Sequence, residues 1–205
     1  MPFTLSIMTK HYLQFLIYVF FILSSCNCQE KINVYNPKAI ALNNKGVEFI
    51  KIQKFDSALI YLDKAIKIDA TYYLSYSNKC TIYCTLKDFK NALIVAEKEI
   101  EVKPDLAEGW TFAGMLNDKL GDTLSALKYY KKSIEIYNER ISNPNKQKYL
   151  KANKLNRAIS YVLIGQEETG VNEIKKLKKL YPSDTFLDGF LKINKQEYLK
   201  EIFKE

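Results

Sequence analysis

Four cysteines, one histidine and a few neighbouring carboxylates are the side chains of this 205-residue chain with the clearest capacity for covalent or acid–base chemistry. The histidine, His11, precedes an apolar run, so the body that follows has none. That removes the commonest general base, the usual catalytic triads and most zinc sites together. Cys80 and Cys84 lie four apart on a predicted helix, a spacing that suits neither a CxxC redox pair nor a zinc knuckle. Oxidation could pair them, but positions i and i+4 of a regular helix set the Cα atoms about 6 Å apart in a poor orientation for a disulfide. Two reduced thiols are therefore expected. Glu97 with Glu101, and Glu167 with Glu168, sit among lysines and read as solvated helix faces. No glycine-rich phosphate loop, GxSxG or HExxH occurs. The expectation is a chain with no catalytic residues, no cofactor and no metal.

Cys26 stands in different surroundings. Tyr12 to Leu23 is a twelve-residue apolar run, broken only by Gln14, preceded by Lys10 and His11 and followed by Ser24-Ser25-Cys26. Twelve residues of helix cover about 18 Å, too short for a hydrocarbon core of about 30 Å, so the run suits a signal-peptide core better than a spanning helix. Met8 offers a shorter leader than Met1. Leu23-Ser24-Ser25-Cys26 resembles the bacterial lipobox, in which an aliphatic residue and two small ones precede the cysteine that receives lipid. The resemblance implies a signal peptide over residues 1–25, cleavage after Ser25 and lipidation of Cys26, with residues 26–38 as a tether. An ordinary secretory signal or an uncleaved anchor is the alternative. Asn27 lacks the acidic character associated with inner-membrane retention, which points to a lipid-anchored protein of the bacterial cell envelope, on the outer membrane and facing the periplasm.

After cleavage the chain would carry 30 basic and 23 acidic residues, a net charge of +7. The lysines are spread along predicted helices rather than grouped with aromatics, so a solvated surface is expected and no nucleic-acid partner. The densest run is Lys175, Lys176, Lys178 and Lys179, spaced around Leu177 and Leu180 as on an exposed helix face.

The elements that position these residues announce themselves by period. Gly46, Cys80 and Gly114 fall 34 residues apart, and so do Ala58, Ala92 and Ala126. Two small-residue columns that share one interval mark a structural repeat. The pattern resembles the tetratricopeptide repeat, which runs aromatic, small, aromatic, then small, bulky and a closing proline. Repeat 39–72 offers Leu42, Gly46, Phe49, Ala58, Leu62, Ala65 and Ala70. Repeat 73–106 offers Tyr76, Cys80, Tyr83, Ala92, Ala96 and Pro104. Repeat 107–140 offers Trp110, Gly114, Ala126, Tyr130 and Ser133, with Asn117 and Asn138 departing from the pattern. A degenerate fourth, 151–184, keeps Ala158, Tyr161, Gly170, Ile174, Leu177 and Pro182, whereas Lys154 departs from it.

The fold class this implies is all-α: a right-handed solenoid of about four helical hairpins over 39–184, closed by a C-terminal capping helix over 185–205. Ser183 would cap that last helix, with Leu187, Leu191, Tyr198 and Ile202 on one face. Asn143-Pro144-Asn145 reads as a turn, so the second helix of the third repeat is expected to reach about Ile141 and the next to begin near Lys146.

In the family, the first helix of each repeat lines a concave groove. Carried over by position, that groove includes Asn43, Val47, Asn78, Thr81, Thr111, Met115 and Ile159, a mainly apolar or neutral floor suited to a protein or peptide segment with apolar side chains. Coverage of Ile159 by the last helix is the competing expectation. The members that grip a peptide's terminal carboxylate do so with Lys, Asn and Arg at places held here by Asn43, Val47, Asn78, Glu108 and Phe112, of which Asn78 alone matches. A non-enzymatic protein-binding scaffold is expected; a fixed subunit of an envelope assembly, secretion or pilus-biogenesis complex is the alternative.

Overall fold

The structure, a computed structural model, describes residues 35–203. The apolar leader, the Cys26 lipidation site and most of the tether lie outside the described residues. Helix and turn account for the described chain, with no strand in it. In order come α1 (Pro37–Lys51), α2 (Phe55–Ile68), α3 (Tyr73–Thr85), α4 (Phe89–Val102), α5 (Ala107–Leu120), α6 (Thr123–Ser142), α7 (Leu150–Leu163), α8 (Glu167–Leu180) and α9 (Lys195–Phe203). Short 3-10 segments, Pro144–Tyr149 and Thr185–Phe190, precede α7 and α9. Residues 35–136 and 137–203 form two compact units, with α6 passing from one to the other. No described helix is long and apolar enough to cross a membrane.

The hairpins are built by one device used four times. At the end of each first helix, one residue takes a left-handed backbone: Gln53 (φ 58°), Lys87 (φ 59°), Gly121 (φ 88°) and Gly165 (φ 86°). Its N–H and the next one bond back to the last turn. Gln53 N donates to Ile50 O at 2.9 Å and Lys54 N to Phe49 O at 2.9 Å, with the same pair recurring at Lys87/Asp88, Gly121/Asp122 and Gly165/Gln166. This Schellman closure satisfies carbonyls that a helix end leaves open and turns the chain sharply enough for the second helix to pack back on the first. The return turns are also shared. Tyr76 Oη donates to Ala70 O at 3.2 Å, and 34 residues on, Trp110 Nε1 donates to Pro104 O at 2.9 Å. The aromatic column of the repeat thus carries a polar handle that ties down the preceding turn.

The small-residue columns lie where paired helices touch. A Cβ added to Gly46 would come within 2.9 Å of Leu62, one on Gly114 within 2.6 Å of the Tyr130 ring, and one on Gly170 within 2.4 Å of the Ala158 carbonyl oxygen. Ala58, Ala92 and Ala126 are fully buried. In the second repeat, Cys80 replaces the glycine and its Sγ donates to Ala92 O at 3.3 Å. The position that holds Leu62 and Tyr130 elsewhere holds Ala96 there, so a larger residue in one helix goes with a smaller one in the other.

In the 35–136 unit, Ala58, Leu62 and Ile82 form a buried nucleus enclosed by Phe49, Ile50, Phe55 and Leu59. In the 137–203 unit, Arg157 on α7 clamps Glu173 of α8 (Nη2–Oε1 2.7 Å, Nε–Oε2 3.2 Å) and donates to Asn138 at 2.7 Å. Regular α-helix resumes at Leu150 rather than near Lys146, because residues 144–148 hold no apolar side chain to bury and form a 3-10 turn instead. The C-terminal segment is helical in two pieces. Asp184, not Ser183, caps the first by accepting from Phe186 N at 3.0 Å, and Asn194 starts the second by accepting from Glu197 N at 2.9 Å. Gly189, near the end of the first piece, weakens any continuous helix.

Candidate functional site

The first helices of the 35–136 unit, α1, α3 and α5, place their expected groove residues in three kinds of surroundings. Asn43 is buried, and its Oδ1 accepts from Ser75 Oγ at 3.3 Å and from Asn78 Nδ2 at 2.8 Å. Asn43 and Asn78, residues of successive repeats, are thus joined. Val47, Asn78 and Thr81 are half-buried and keep part of their surface open. Thr81 Oγ1 donates back to Ser77 O at 3.0 Å. Thr111 and Met115 are buried, the latter 1% exposed. Ile159, on α7 of the other unit, is buried too.

Beneath the partly open positions runs a polar seam that the expected apolar floor did not anticipate. Ser77 Oγ donates to Glu99 Oε1, and Glu99 is 6% exposed. Glu108, on α5, is buried beside it. Burial pushes the Glu99 carboxyl up to about 7; the Ser77 hydrogen bond opposes that rise and the Glu108 charge adds to it. Burial likewise raises the Tyr73 phenol, with Tyr35, Glu99 and Glu108 contributing. Tyr35 lies near this group with its ring tilted, 4.9 Å from the Tyr72 ring and 6.3 Å from that of Tyr73. The Cys80 thiol is held well above its usual range by its hydrogen bond with Cys84 and by burial, so it is a protonated core group rather than a nucleophile.

Glu99 is the residue that motif matching passed over, yet it had a signal. Its place in the repeat holds Ala65 in the first and Ser133 in the third, both fully buried. A carboxylate in a column of small buried residues is either paired or proton-loaded. Its partners come from α3 and α5, 22 and nine residues away in sequence, and only packing brings them together. Chemically the seam can donate and accept hydrogen bonds and hold a proton near neutrality. Among the described residues no group of three or more His, Cys, Asp or Glu is arranged to hold a metal.

Comparison with known proteins places this geometry. The tetratricopeptide-repeat family model matches residues 39–72 and 107–140. Those two segments are tetratricopeptide repeats. Between the two matched segments, α3 and α4 form a hairpin with the same Schellman closure, although Cys80 and Ala96 replace the usual glycine and large residue of its tetratricopeptide columns. The sti1 heat shock protein homolog of Schizosaccharomyces pombe is 33% identical over 94 residues, 46% of this chain and 16% of that protein. The Hsp70-Hsp90 organizing protein of Triticum aestivum is 30% identical over 92 residues, 45% of this chain and again 16% of that protein. The likeness to these relatives therefore spans about a sixth of their length. Among solved structures, the type IV pilus biogenesis factor PilW superposes with a TM-score of 0.54 at 19% identity, over 82% of this chain and 78% of PilW. That likeness is one of tetratricopeptide fold.

Proposed function

We propose that this chain is a non-enzymatic protein-interaction scaffold, lipid-anchored through Cys26 in the bacterial envelope, that engages a segment of a protein partner along the first helices of its repeats. The observation that carries the reading is the seam itself. Polar groups of α1, α3 and α4 are hydrogen-bonded to one another beside half-open Val47, Asn78 and Thr81, a surface with both hydrogen-bonding and apolar parts. Asn43, Val47, Glu108 and Phe112 place no cation where a terminal carboxylate would be gripped, so an internal segment fits better than a chain end. The leader and the lipobox-like Leu23-Ser24-Ser25-Cys26 support the membrane anchor, and Asn27 favours the outer membrane.

A photoreactive residue at Val47 or Thr81 of the full-length chain, irradiated in the native host, is expected to capture one protein reproducibly. No capture at either position would overturn the groove. A second reading, a permanent subunit of an envelope complex, is favoured by Ile60 and Ile94, which recur 34 apart on the second helices α2 and α4 and are 53% and 57% exposed. Capture from Ile60 and Ile94, in fixed stoichiometry and not from Val47 or Thr81, would put that reading first.

A further inference from the structure

The lysine run of α8 is more than a solvated face. Lys175, Lys176 and Lys179 are exposed, and among the described residues none of them makes a hydrogen bond or an ion pair. The carboxylates around them are already engaged: Glu173 with Arg157, Asp184 with Lys151, and Asp188 with Lys178 at 2.7 Å. The helix ends on Leu180, 66% exposed, followed by Tyr181, 40% exposed, whose ring lies 4.9 Å from Lys151 Nζ. Positions 175, 176, 179 and 180 share one side of the helix by their spacing. Lysines in a last turn gain from the partial negative charge of a helix C-terminus, but that accounts for neither the open leucine nor the open tyrosine beside them.

We propose that this end of α8 is a contact surface for an anionic phospholipid membrane, with Lys175, Lys176 and Lys179 against the headgroups and Leu180 and Tyr181 entering the interface. Three uncompensated cations beside one aliphatic and one amphipathic aromatic side chain match the interfacial region, where lysines meet phosphate and tyrosine sits at headgroup level. A bilayer also accepts such a short patch without the shape-matched pocket that a protein partner would need. Being one acyl-anchored chain, the protein already has lipid within reach if the tether proposed above is correct; the patch would supply the second, electrostatic attachment that stabilises an anchored protein on the surface.

The test uses the native full-length chain reconstituted into phosphatidylcholine vesicles carrying a phospholipid with a photoactivatable acyl chain, with or without phosphatidylglycerol, and adducts mapped by mass spectrometry. Adducts on the 175–181 peptide are expected in anionic vesicles and about tenfold fewer in neutral ones. A tenfold loss is likewise expected at high salt and in the triple variant Lys175→Gln, Lys176→Gln, Lys179→Gln. These exposed substitutions leave the fold intact, and circular dichroism checks that. Adducts confined to residues 1–38 would overturn this contact while upholding the tether. Adducts at 175–181 with none at 1–38 would uphold the contact and count against the tether. A salt-sensitive complex with an acidic protein, in the absence of 175–181 lipid adducts, would overturn the lipid assignment.

Discussion

Glu99 concentrates the unusual chemistry of this chain in one side chain. Below pH 4.5 its carboxyl is protonated in the folded and unfolded chain alike and imposes no penalty. Between 4.5 and about 7 only the unfolded chain releases the proton, so folding stability falls as pH rises; above about 7 the full penalty of a buried carboxylate is present. Denaturant unfolding at pH 5 and pH 8 is expected to show the wild type losing roughly 2–3 kcal/mol more than Glu99→Gln over that interval. Equal losses in both would show that Glu99 does not titrate across the folded state.

At the scale of the helices, the four Schellman closures separate backbone need from side-chain identity. Gln53 and Lys87 hold left-handed backbones that glycine supplies at Gly121 and Gly165. Gln53→Gly and Lys87→Gly should each raise the midpoint of thermal unfolding, for a gain of about 0.5–1 kcal/mol, by relieving a conformation that side-chain-bearing residues resist. Gly121→Ala, where the added methyl meets nothing within 4 Å, should lower stability by about as much through the backbone alone. Helix crossings obey a different rule. At Gly170 an added Cβ strikes the Ala158 carbonyl oxygen at 2.4 Å, which cannot move without breaking α7, whereas at Gly46 it crowds Cγ and Cδ2 of buried Leu62 at 2.9 Å and leaves the Ala58 carbonyl oxygen at 3.4 Å. Gly170→Ala is expected to cost about 1–3 kcal/mol in chemical denaturation. Gly46→Ala is expected to cost less, about 1 kcal/mol, because it crowds a side chain rather than a carbonyl oxygen and alanine's better helix propensity offsets part of the strain. Equal effects at the two sites would refute the assignment of the crossings.

For the molecule as a whole, anchoring and recognition are separable. Cys26→Ser, expressed in a bacterial host fed labelled palmitate, should lose the label and leave the leader uncleaved by the lipoprotein peptidase. The repeats, whose hairpins are closed by contacts within residues 35–203, should keep their helical circular dichroism. Label retained in Cys26→Ser would place lipidation elsewhere or reject it. Capture from Thr81 would then be expected in extracts of the variant but no longer confined to the membrane fraction.

The period of 34 was legible because each close crossing of paired helices imposes its demand locally: Gly46, Gly114, Ala58, Ala92 and Ala126 are small for a reason that acts within one hairpin, at fixed offsets along the chain. The same holds for Tyr76 and Trp110, each reaching a turn six residues before it. Burial of particular groups was decided by residues remote in sequence. Met115 matches an open groove position by number yet is closed over, while Val47 at the same place in the first repeat stays half open. Glu99 could be seen to occupy a small-residue column, but its loss of water, and hence its hold on a proton, depends on α3 and α5 packing against α4. Spacing along a helix determines which way a residue points; desolvation is a property of what arrives from elsewhere in the fold, and only the tertiary structure supplies that.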